Sequence, residues 1–374
     1  MSIELTISSE REFNQIRMGH MTPAMAADYL KTGKLEMRPF ADILRTFYPH
    51  EDLQPRLFAA FLRDDPDAVP ASVARTIRNW LSGRSRPTDR ADIFHIAFAL
   101  GLSEANADYL LGFCTGCGIH YREGADAVFA WFLRSGKTWR DAKEFYVSLP
   151  PEPLLTMLPP TYTTGTQLTQ ELKRNFLKAR TIDELRACYL NNLDNFGSLH
   201  LRAFHYFNRF MDQLIHPSAA WGEDREEDYS IEAVMDTYLS LHMPSGRKRQ
   251  DYSTVKKLIK YNWPSATRLK NIRLRKEDVP RKLILLLYIV TENLVDGEYS
   301  EMDEDYVTME DRLEDHWYGL NAILADCGMP MLDPRNPFDW LVLYALAADE
   351  DETMSERMEQ VIDALFEDEM PATV

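Results

Sequence analysis

The chain has 374 residues, of which 45% are hydrophobic and 27% charged, and its formal net charge at pH 7 is −17. This length allows two or three domains with complete cores, and such acidity taken alone argues against a nucleic-acid partner. Four cysteines and no signal peptide exclude a disulfide framework, and the longest apolar run, Leu283 to Val290, is too short to span a bilayer. We expect a cytoplasmic protein without a membrane partner.

The charge is strongly segregated along the chain. From Glu292 to the end, 24 acidic residues face only three arginines, a local balance of −21, so residues 1–291 carry +4. An acidic C-terminal region attached to a mildly basic body differs from a uniformly acidic protein. The overall charge therefore leaves a nucleic-acid partner open.

The N-terminal region predicts two features. Residues 1–34 form an extension in which SIELTIS alternates like a strand and a helix runs from Thr22 to Leu30, with Pro23 in its first turn. Residues 35–149 form the next domain, beginning with two helices over 38–62. Their predicted inner faces are apolar: Phe40, Ile43, Leu44, Phe47, Leu57, Phe58, Phe61 and Leu62.

Residues 71–111 predict two short amphipathic helices joined by a basic turn. Val73, Ile77 and Trp80 fall at i, i+4 and i+7, the spacing of one buried helix face. Gly83 follows where a left-handed cap is needed, and Pro87 prevents continuation. The opposite face carries Ser72, Arg75, Arg78 and Asn79, and a second apolar stripe is formed by Ile93, Ile96, Ala97 and Leu100.

This pattern resembles the second half of a Cro/C1-type (XRE) helix-turn-helix domain over roughly residues 52–113. The resemblance is carried by Ile77-x-x-Trp80-x-x-Gly83-Arg-Ser-Arg-Pro87 followed by Ala97-x-x-Leu100-Gly101-Leu102. The connection RDDPDAVPAS, residues 63–72, is longer than the family's turn. The resemblance implies that the helix before the glycine enters the DNA major groove and that the basic turn lies along phosphates.

The resemblance leads to a set of candidate DNA-binding residues. Arginine suits guanine edges and asparagine suits adenine, so Ser72, Arg75, Arg78 and Asn79 are expected in the groove. The expected phosphate contacts are Arg84, Arg86 and Arg90. A small DNA-binding domain usually recognises a longer site by binding as a dimer. We therefore expect a homodimer on double-stranded DNA.

Two motifs after Leu111 suggest other chemistry but lack its context. Cys114-x-x-Cys117 with His120 has no second ligand pair at zinc spacing, so we predict no metal. Residues 135–138, Ser-Gly-Lys-Thr, imitate the end of a phosphate loop, but Trp131 stands where its first glycine belongs. We interpret Gly136 as the cap of a helix over 125–135.

Five prolines between residues 150 and 160 predict a joint at 150–163. A helical domain over 164–295 follows, with helices at 164–179, 182–194, 198–215 and 230–242. Their short connections suggest antiparallel pairs, and no repeat at the tetratricopeptide period is present.

Within that domain, residues 247–282 carry 13 basic and three acidic side chains. Three short helices with basic connections predict a second helix-turn-helix-like unit over 247–291, with Leu274 or Arg275 where a glycine would help. This basic stretch is expected to contact nucleic acid or to dock the acidic C-terminal region. Its candidate phosphate contacts are Lys256, Lys257, Lys260, Arg268, Lys270, Arg273, Arg275 and Lys276.

Residues 296–374 form the acidic helical C-terminal region. It opens with EYSEMDEDYVTMEDRLED, and Asn336 and Pro337 predict the cap and first residue of a helix. A last helix is expected over 354–368.

The sequence predicts an all-α protein with an N-terminal helix-turn-helix domain and a multi-helix C-terminal domain. No hydrolase, metalloprotease, dinucleotide or complete phosphate-loop motif occurs, so we expect neither an enzyme nor a cofactor. The functional expectation is a bacterial-type transcriptional regulator that binds DNA and is controlled through its helical domain by a peptide or protein effector. The alternative is a non-catalytic interaction protein whose acidic C-terminal region masks the basic stretch.

Overall fold

The computed structural model describes residues 6–18, 20–152, 165–197, 200–216, 229–244, 252–291, 308–348 and 352–367. All regular secondary structure in these ranges is helical, which confirms the predicted all-α class. None of the helices described is long and apolar enough to cross a bilayer.

The α-helices are numbered here in chain order. They are α1 (Ile7–Met18), α2 (Pro23–Lys31), α3 (Phe40–Phe47), α4 (Leu53–Asp64), α5 (Pro70–Leu81), α6 (Arg90–Leu100), α7 (Glu104–Thr115), α8 (Gly124–Arg134), α9 (Trp139–Val147), α10 (Gly165–Lys178), α11 (Ile182–Asn191), α12 (Leu201–Ile215), α13 (Ile231–Val234), α14 (Thr254–Lys260), α15 (Ala266–Arg273), α16 (Arg281–Val290), α17 (Met309–Asp326), α18 (Pro337–Leu346) and α19 (Met354–Phe366). A 3-10 turn follows α11 at Leu193–Asn195, and a π-helical turn follows α13 at Met235–Leu239.

The first three predicted helices after the proline-rich joint are confirmed as α10 to α12, each within a few residues of its predicted ends. The fourth, predicted over 230–242, is shorter, because α13 ends at Val234 and a π-helical turn continues it only to Leu239. The strand-like interpretation of SIELTIS is wrong where it can be checked, because Ile7 and Ser8 open α1. Residues 2–5 lie outside the described ranges. An alternation over so few residues does not distinguish a strand from the first turn of a helix.

The chain forms two compact units, which differ from the predicted domains. The first unit contains residues 38–202 and 327–330, and the second contains 1–37, 203–326 and 331–374. Residues 150–152 and 165–197, on the two sides of the predicted joint, both fall inside the first unit, and residues 153–164 lie outside the described ranges. The N-terminal extension belongs with the C-terminal helices.

Packing explains why α10 and α11 stay with the first unit. Leu172 and Phe176 of α10 are fully buried in the same apolar core as α6 and α8. The indole N–H of Trp131 on α8 donates to the carbonyl of Ala179 at 2.8 Å. Proline-rich composition therefore interrupts the helices without ending this hydrophobic core.

The Ser-Gly-Lys-Thr segment connects two helices. Gly136 follows α8 with a φ of +64°, and Thr138 caps α9 by accepting the amide N–H of Asp141 while the Asp141 carboxylate accepts that of Thr138. This reciprocal capping supplies partners for amides that the first helical turn leaves unpaired. The segment is a helix connection, as expected.

The second unit is built around α18, in which every residue is buried. The helix begins as predicted, with the Asn336 side chain accepting the amide N–H groups of Phe338 and Asp339 and with Pro337 at the first position. Arg281 at the start of α16 forms a bidentate ion pair with Asp339, at 2.7 and 2.8 Å. The acidic C-terminal region thus contributes the centre of this core.

Candidate nucleic-acid interface

Helix α5 is held on the first unit by one apolar face. Pro70 opens the helix, where its missing N–H costs nothing. Ile77 is 1% and Trp80 5% exposed, and the Trp80 ring meets Phe61 of α4 edge-on at a centroid distance of 5.9 Å. Half-buried Val73 extends this contact. The spacing of these three residues leaves the other side of α5 directed away from the core.

The predicted groove-facing residues lie on that outer side. Ser72, Arg75 and Arg78 are exposed and are separated by three residues each, so they follow one another along a single helix face. Within the described ranges, neither arginine forms an ion pair. Asn79 is half-buried at the edge of this face, and its carbonyl accepts the Ser85 amide at 3.2 Å.

The basic turn after α5 has the predicted backbone conformation. Gly83 adopts a φ of +75°, which a residue with a Cβ rarely does, and Pro87 is buried. Arg84 is exposed on the turn. Asp89 then caps α6 by accepting the Ala91 amide at 2.8 Å, so the turn is fixed at both ends.

Two arginines assigned to phosphates are turned toward the protein. Half-buried Arg86 donates to the carbonyl of Phe113 at 3.4 Å and lies over the Phe113 ring. The expectation that Arg90 contacts a phosphate is not met, because all three of its guanidinium nitrogens form hydrogen bonds inside the unit. It donates to the buried Asp126 carboxylate, the Thr115 hydroxyl, and the carbonyls of Cys117 and Gly118. Arg90 anchors the loop after α7 and is not placed to meet a phosphate.

The sequence did not indicate a hollow that the structure shows beside Arg78. This open hollow of about 620 Å³ is lined by Arg45, Pro49, His50, Glu51, Leu53, Gln54, Arg78, Leu81 and Ser82. Arg45 also contacts Asp42 at 2.8 Å. The residues come from α3, the start of α4 and the end of α5, which no local sequence pattern could have joined. The hollow thus brings Arg45, and with it Glu51, next to Arg78 on the outer face of α5.

The basic stretch contains three short helices, as predicted, but many of its cationic side chains have partners within the second unit. Three helices, α14 to α16, occupy it, and Arg275 adopts a φ of +57° at the place where a glycine was expected to help. The expected phosphate contact of Lys260 is not met. Its side chain is only 8% exposed, and its ammonium donates to the Tyr252 hydroxyl at 3.3 Å. A buried ammonium cannot reach a phosphate on the surface.

Most other cations of the basic stretch have partners within the second unit. Arg268 faces Glu277 at 3.4 Å, and Lys270 pairs with Glu232. Half-buried Arg275 lies over the Phe204 ring at 4.2 Å, and its burial lowers the pKa of its guanidinium. Lys256 lies over the rings of Tyr252 and Phe366, and Lys257 is half-buried. Only Arg273 and Lys276 of the predicted set are exposed in the described ranges without a charged partner there.

Comparison with protein-family models, with curated proteins and with solved structures finds no match for this chain. The helix-turn-helix resemblance and the function that it implies therefore stay predictions.

Proposed function

We propose that this chain is a sequence-specific DNA-binding regulator that reads the major groove with the outer face of α5. The observation that carries the proposal is the exposure of Ser72, Arg75 and Arg78 along one side of a helix whose other side is buried. Hydrogen-bonding side chains on such a face can meet base edges without any rearrangement of the core.

The dimensions and chemistry of α5 support this proposal. Its 12 residues span about 18 Å, and the major groove of about 12 Å width admits an α-helix. Arginine is the side chain best suited to the two acceptors of guanine. Arg75 and Arg78 lie nearly one turn apart and would address neighbouring base pairs.

The turn and the hollow supply the accompanying phosphate contacts in this proposal. Arg84 lies just after α5, and Arg45 and His50 flank Arg78. Hydrogen-bond donors at these places would fix the register of α5 on the duplex without reading sequence. Two copies of the chain would present two such helices to the two halves of a palindromic site.

The test is fluorescence anisotropy with genomic DNA fragments, including the chain's own promoter. We expect Arg75→Ala and Arg78→Ala each to weaken specific binding about tenfold or more, since a bidentate base contact contributes about 1–3 kcal/mol. The matched control is Arg174→Ala, which removes an exposed arginine from α10. No binding by the unaltered chain at 50 mM salt would overturn the proposal.

A second candidate function is a non-catalytic interaction protein. It is favoured by the engagement of the basic stretch, which contacts the C-terminal region through the Arg281–Asp339 ion pair and through Lys282 over the Phe338 ring at 4.2 Å. Truncation after Val290 does not test it, because that removes α17 to α19 and with them the core of the second unit. Retained binding of a captured protein by the Arg75→Ala, Arg78→Ala double variant, without DNA binding by any form, would favour this candidate.

A further inference from the structure

The open hollow beside Arg78 has both apolar and charged walls. Its volume of about 620 Å³ lies within the range of about 300–1,000 Å³ in which proteins bind small molecules. Three of its lining residues are apolar, namely Pro49, Leu53 and Leu81. Leu53 is 5% exposed and Leu81 is half-buried, so these two side chains form the deep part of the hollow. An apolar group of a small ligand would leave water on entering there.

Two opposite charges line this hollow without pairing. Arg78 comes from the end of α5, and Glu51 comes from the connection between α3 and α4. Both side chains are exposed, and within the described part of the chain neither forms an ion pair, with the other or with any third group. A ligand that carries one negative and one positive group is complementary to this arrangement.

Arg45 supplies a second guanidinium to the hollow. It contacts Asp42 at 2.8 Å, but the two side chains are 59% and 57% exposed, and such exposed ion pairs contribute little to stability. A guanidinium has five N–H donors, so Arg45 can bind a further carboxylate beside Asp42. The negative group of a ligand would therefore find two cations on one side of the hollow.

The wall that carries Glu51 is fixed by local contacts. The Tyr48 hydroxyl donates to the Asp52 carboxylate at 2.9 Å, and the His50 amide donates to the Tyr48 carbonyl at 2.9 Å. The rings of Tyr48 and His50 also lie edge-on, with centroids 4.5 Å apart. The backbone beside Glu51 is thus ordered before a ligand arrives, which lowers the ordering cost of binding.

We propose that the hollow binds a free amino acid with an apolar side chain. The carboxylate of the ligand accepts hydrogen bonds from Arg78 and Arg45, and guanidinium groups suit this planar acceptor. Its ammonium donates to Glu51. Its side chain packs against Leu53 and Leu81. A simple anion would leave Glu51 facing a like charge, and a simple amine would leave both guanidiniums unsatisfied, so the zwitterion fits where neither of these does.

The bound amino acid regulates DNA binding in this proposal, a step that rests on the proposed function. Arg78 is expected to read a base, and the same guanidinium holds the carboxylate of the ligand. The two partners therefore compete, and each lowers the affinity of the chain for the other. Binding of the amino acid itself does not depend on whether the chain binds DNA.

The first experiment measures ligand binding to the full chain by calorimetry without DNA. The probes are L-phenylalanine, L-leucine and L-tryptophan, together with two analogues of phenylalanine. N-acetyl-L-phenylalanine lacks the positive charge, and phenethylamine lacks the carboxylate. We expect one amino acid per chain, with each analogue binding about tenfold or more weakly than phenylalanine, because each loses a hydrogen bond between charged groups. The proposal is overturned if none of the three amino acids binds.

The second experiment assigns each end of the ligand to a residue. Glu51→Gln should reduce the preference for phenylalanine over its N-acetyl form to less than about threefold, and Arg78→Gln should do the same for the preference over phenethylamine, because the charge partner is removed. Glu144→Gln, an exposed carboxylate on α9, is the control and should keep both preferences. Each preference is a ratio measured within one variant, so a change in stability does not imitate the result. Unchanged preferences in Glu51→Gln and Arg78→Gln would overturn the assignment.

The third experiment adds phenylalanine to the DNA-binding assay. At ten times its dissociation constant, the ligand should weaken DNA binding by the unaltered chain about tenfold, since full competition scales with occupancy. Glu51→Gln should bind DNA as the unaltered chain does and lose this response. Amino-acid binding without DNA binding by any form would overturn the proposed function alone. DNA binding that a saturating amino acid leaves unchanged would overturn the regulatory step.

Discussion

The outer face of α5 and the basic stretch of α14 to α16 both attracted attention as arrays of cations, but their surroundings differ. Arg75, Arg78 and Arg84 are exposed, and none is in an ion pair within the described part of the chain. In the basic stretch, Arg268 and Lys270 face Glu277 and Glu232. A high density of basic residues in sequence is therefore a poor guide to available charge. The number of cations left without an acidic neighbour is the better one.

The largest expected effect on stability comes from replacing Arg90. The sequence predicted that this arginine contacts a phosphate, whereas in the structure it binds groups inside the first unit. Arg90→Gln leaves the carboxylate of Asp126, whose side chain is 4% exposed, without its charge partner. We expect a loss of about 3 kcal/mol in the free energy of unfolding, the lower end of the range for breaking a buried pair, because Arg90 is 28% exposed. Urea unfolding measures it.

Arg84→Gln is the matched control for Arg90→Gln. Its side chain is exposed on the same turn, so the free energy of unfolding should change by no more than about 0.5 kcal/mol. Equal unfolding midpoints for the two variants would show that Arg90 is not the anchor that its contacts suggest.

The next effect compares two histidines of lowered pKa, buried His95 of the first unit and half-buried His316 of the second, as pH falls. Burial lowers the pKa of His95 to about 4 despite a 3.0 Å contact with Asp64, and burial lowers that of His316 to about 4 beside the Tyr288 hydroxyl. Below pH 6.5 each of these histidines becomes protonated in the unfolded chain but stays neutral in the folded chain. The folded state therefore loses stability between pH 6.5 and 4. The slope is at most about 1.4 kcal/mol per pH unit for each histidine.

We expect His95→Gln and His316→Gln each to flatten this pH dependence of the free energy of unfolding, measured with urea at pH 7 and pH 4.5. His50→Gln, which changes an exposed histidine, should leave the dependence as it is. An unchanged slope in both the His95 and the His316 variant would mean that other groups, such as the carboxylates, control acid unfolding.

A smaller effect tests the turn after α5. Gly83→Ala forces a Cβ into a φ of +75°, although no atom lies within 4 Å of the added carbon. The cost is thus backbone strain alone, about 1 kcal/mol in the free energy of unfolding. Thermal unfolding beside Ser82→Ala, an exposed neighbour, isolates this strain. A stability equal to that of the unaltered chain would mean that the turn relaxes to another conformation.

The smallest effect is expected in the basic stretch itself. The Arg273→Ala, Lys276→Ala double variant removes the cations there that lack a charged partner among the described residues. If α5 is the reading element, DNA affinity should fall less than threefold, whereas Arg84→Ala should reduce the salt slope of log K by about 0.9 for one phosphate contact. A larger loss of DNA affinity in the double variant than in Arg75→Ala would mean that the basic stretch, and not the outer face of α5, is the main DNA contact.

Sequence by itself determined the features that depend on near neighbours. The spacing of Ile77 and Trp80 predicts which side of α5 is buried, and Gly83 and Asn336 predict a helix end and a helix start that the structure contains. Helix faces and caps are set by residues three or four positions apart, whose preferences act within a single turn. The all-α class follows from the same local rules.

Only the tertiary structure decided which charged groups meet. Arg90 binds Asp126 from 36 residues away, Lys260 is buried against Tyr252, and His120 meets His200 across 80 residues. The extent of the first unit was also decided by packing, since Phe176 joins the core beyond the proline-rich joint. Such pairings arise from the way helices pack around an apolar core, and no single turn of sequence contains that information.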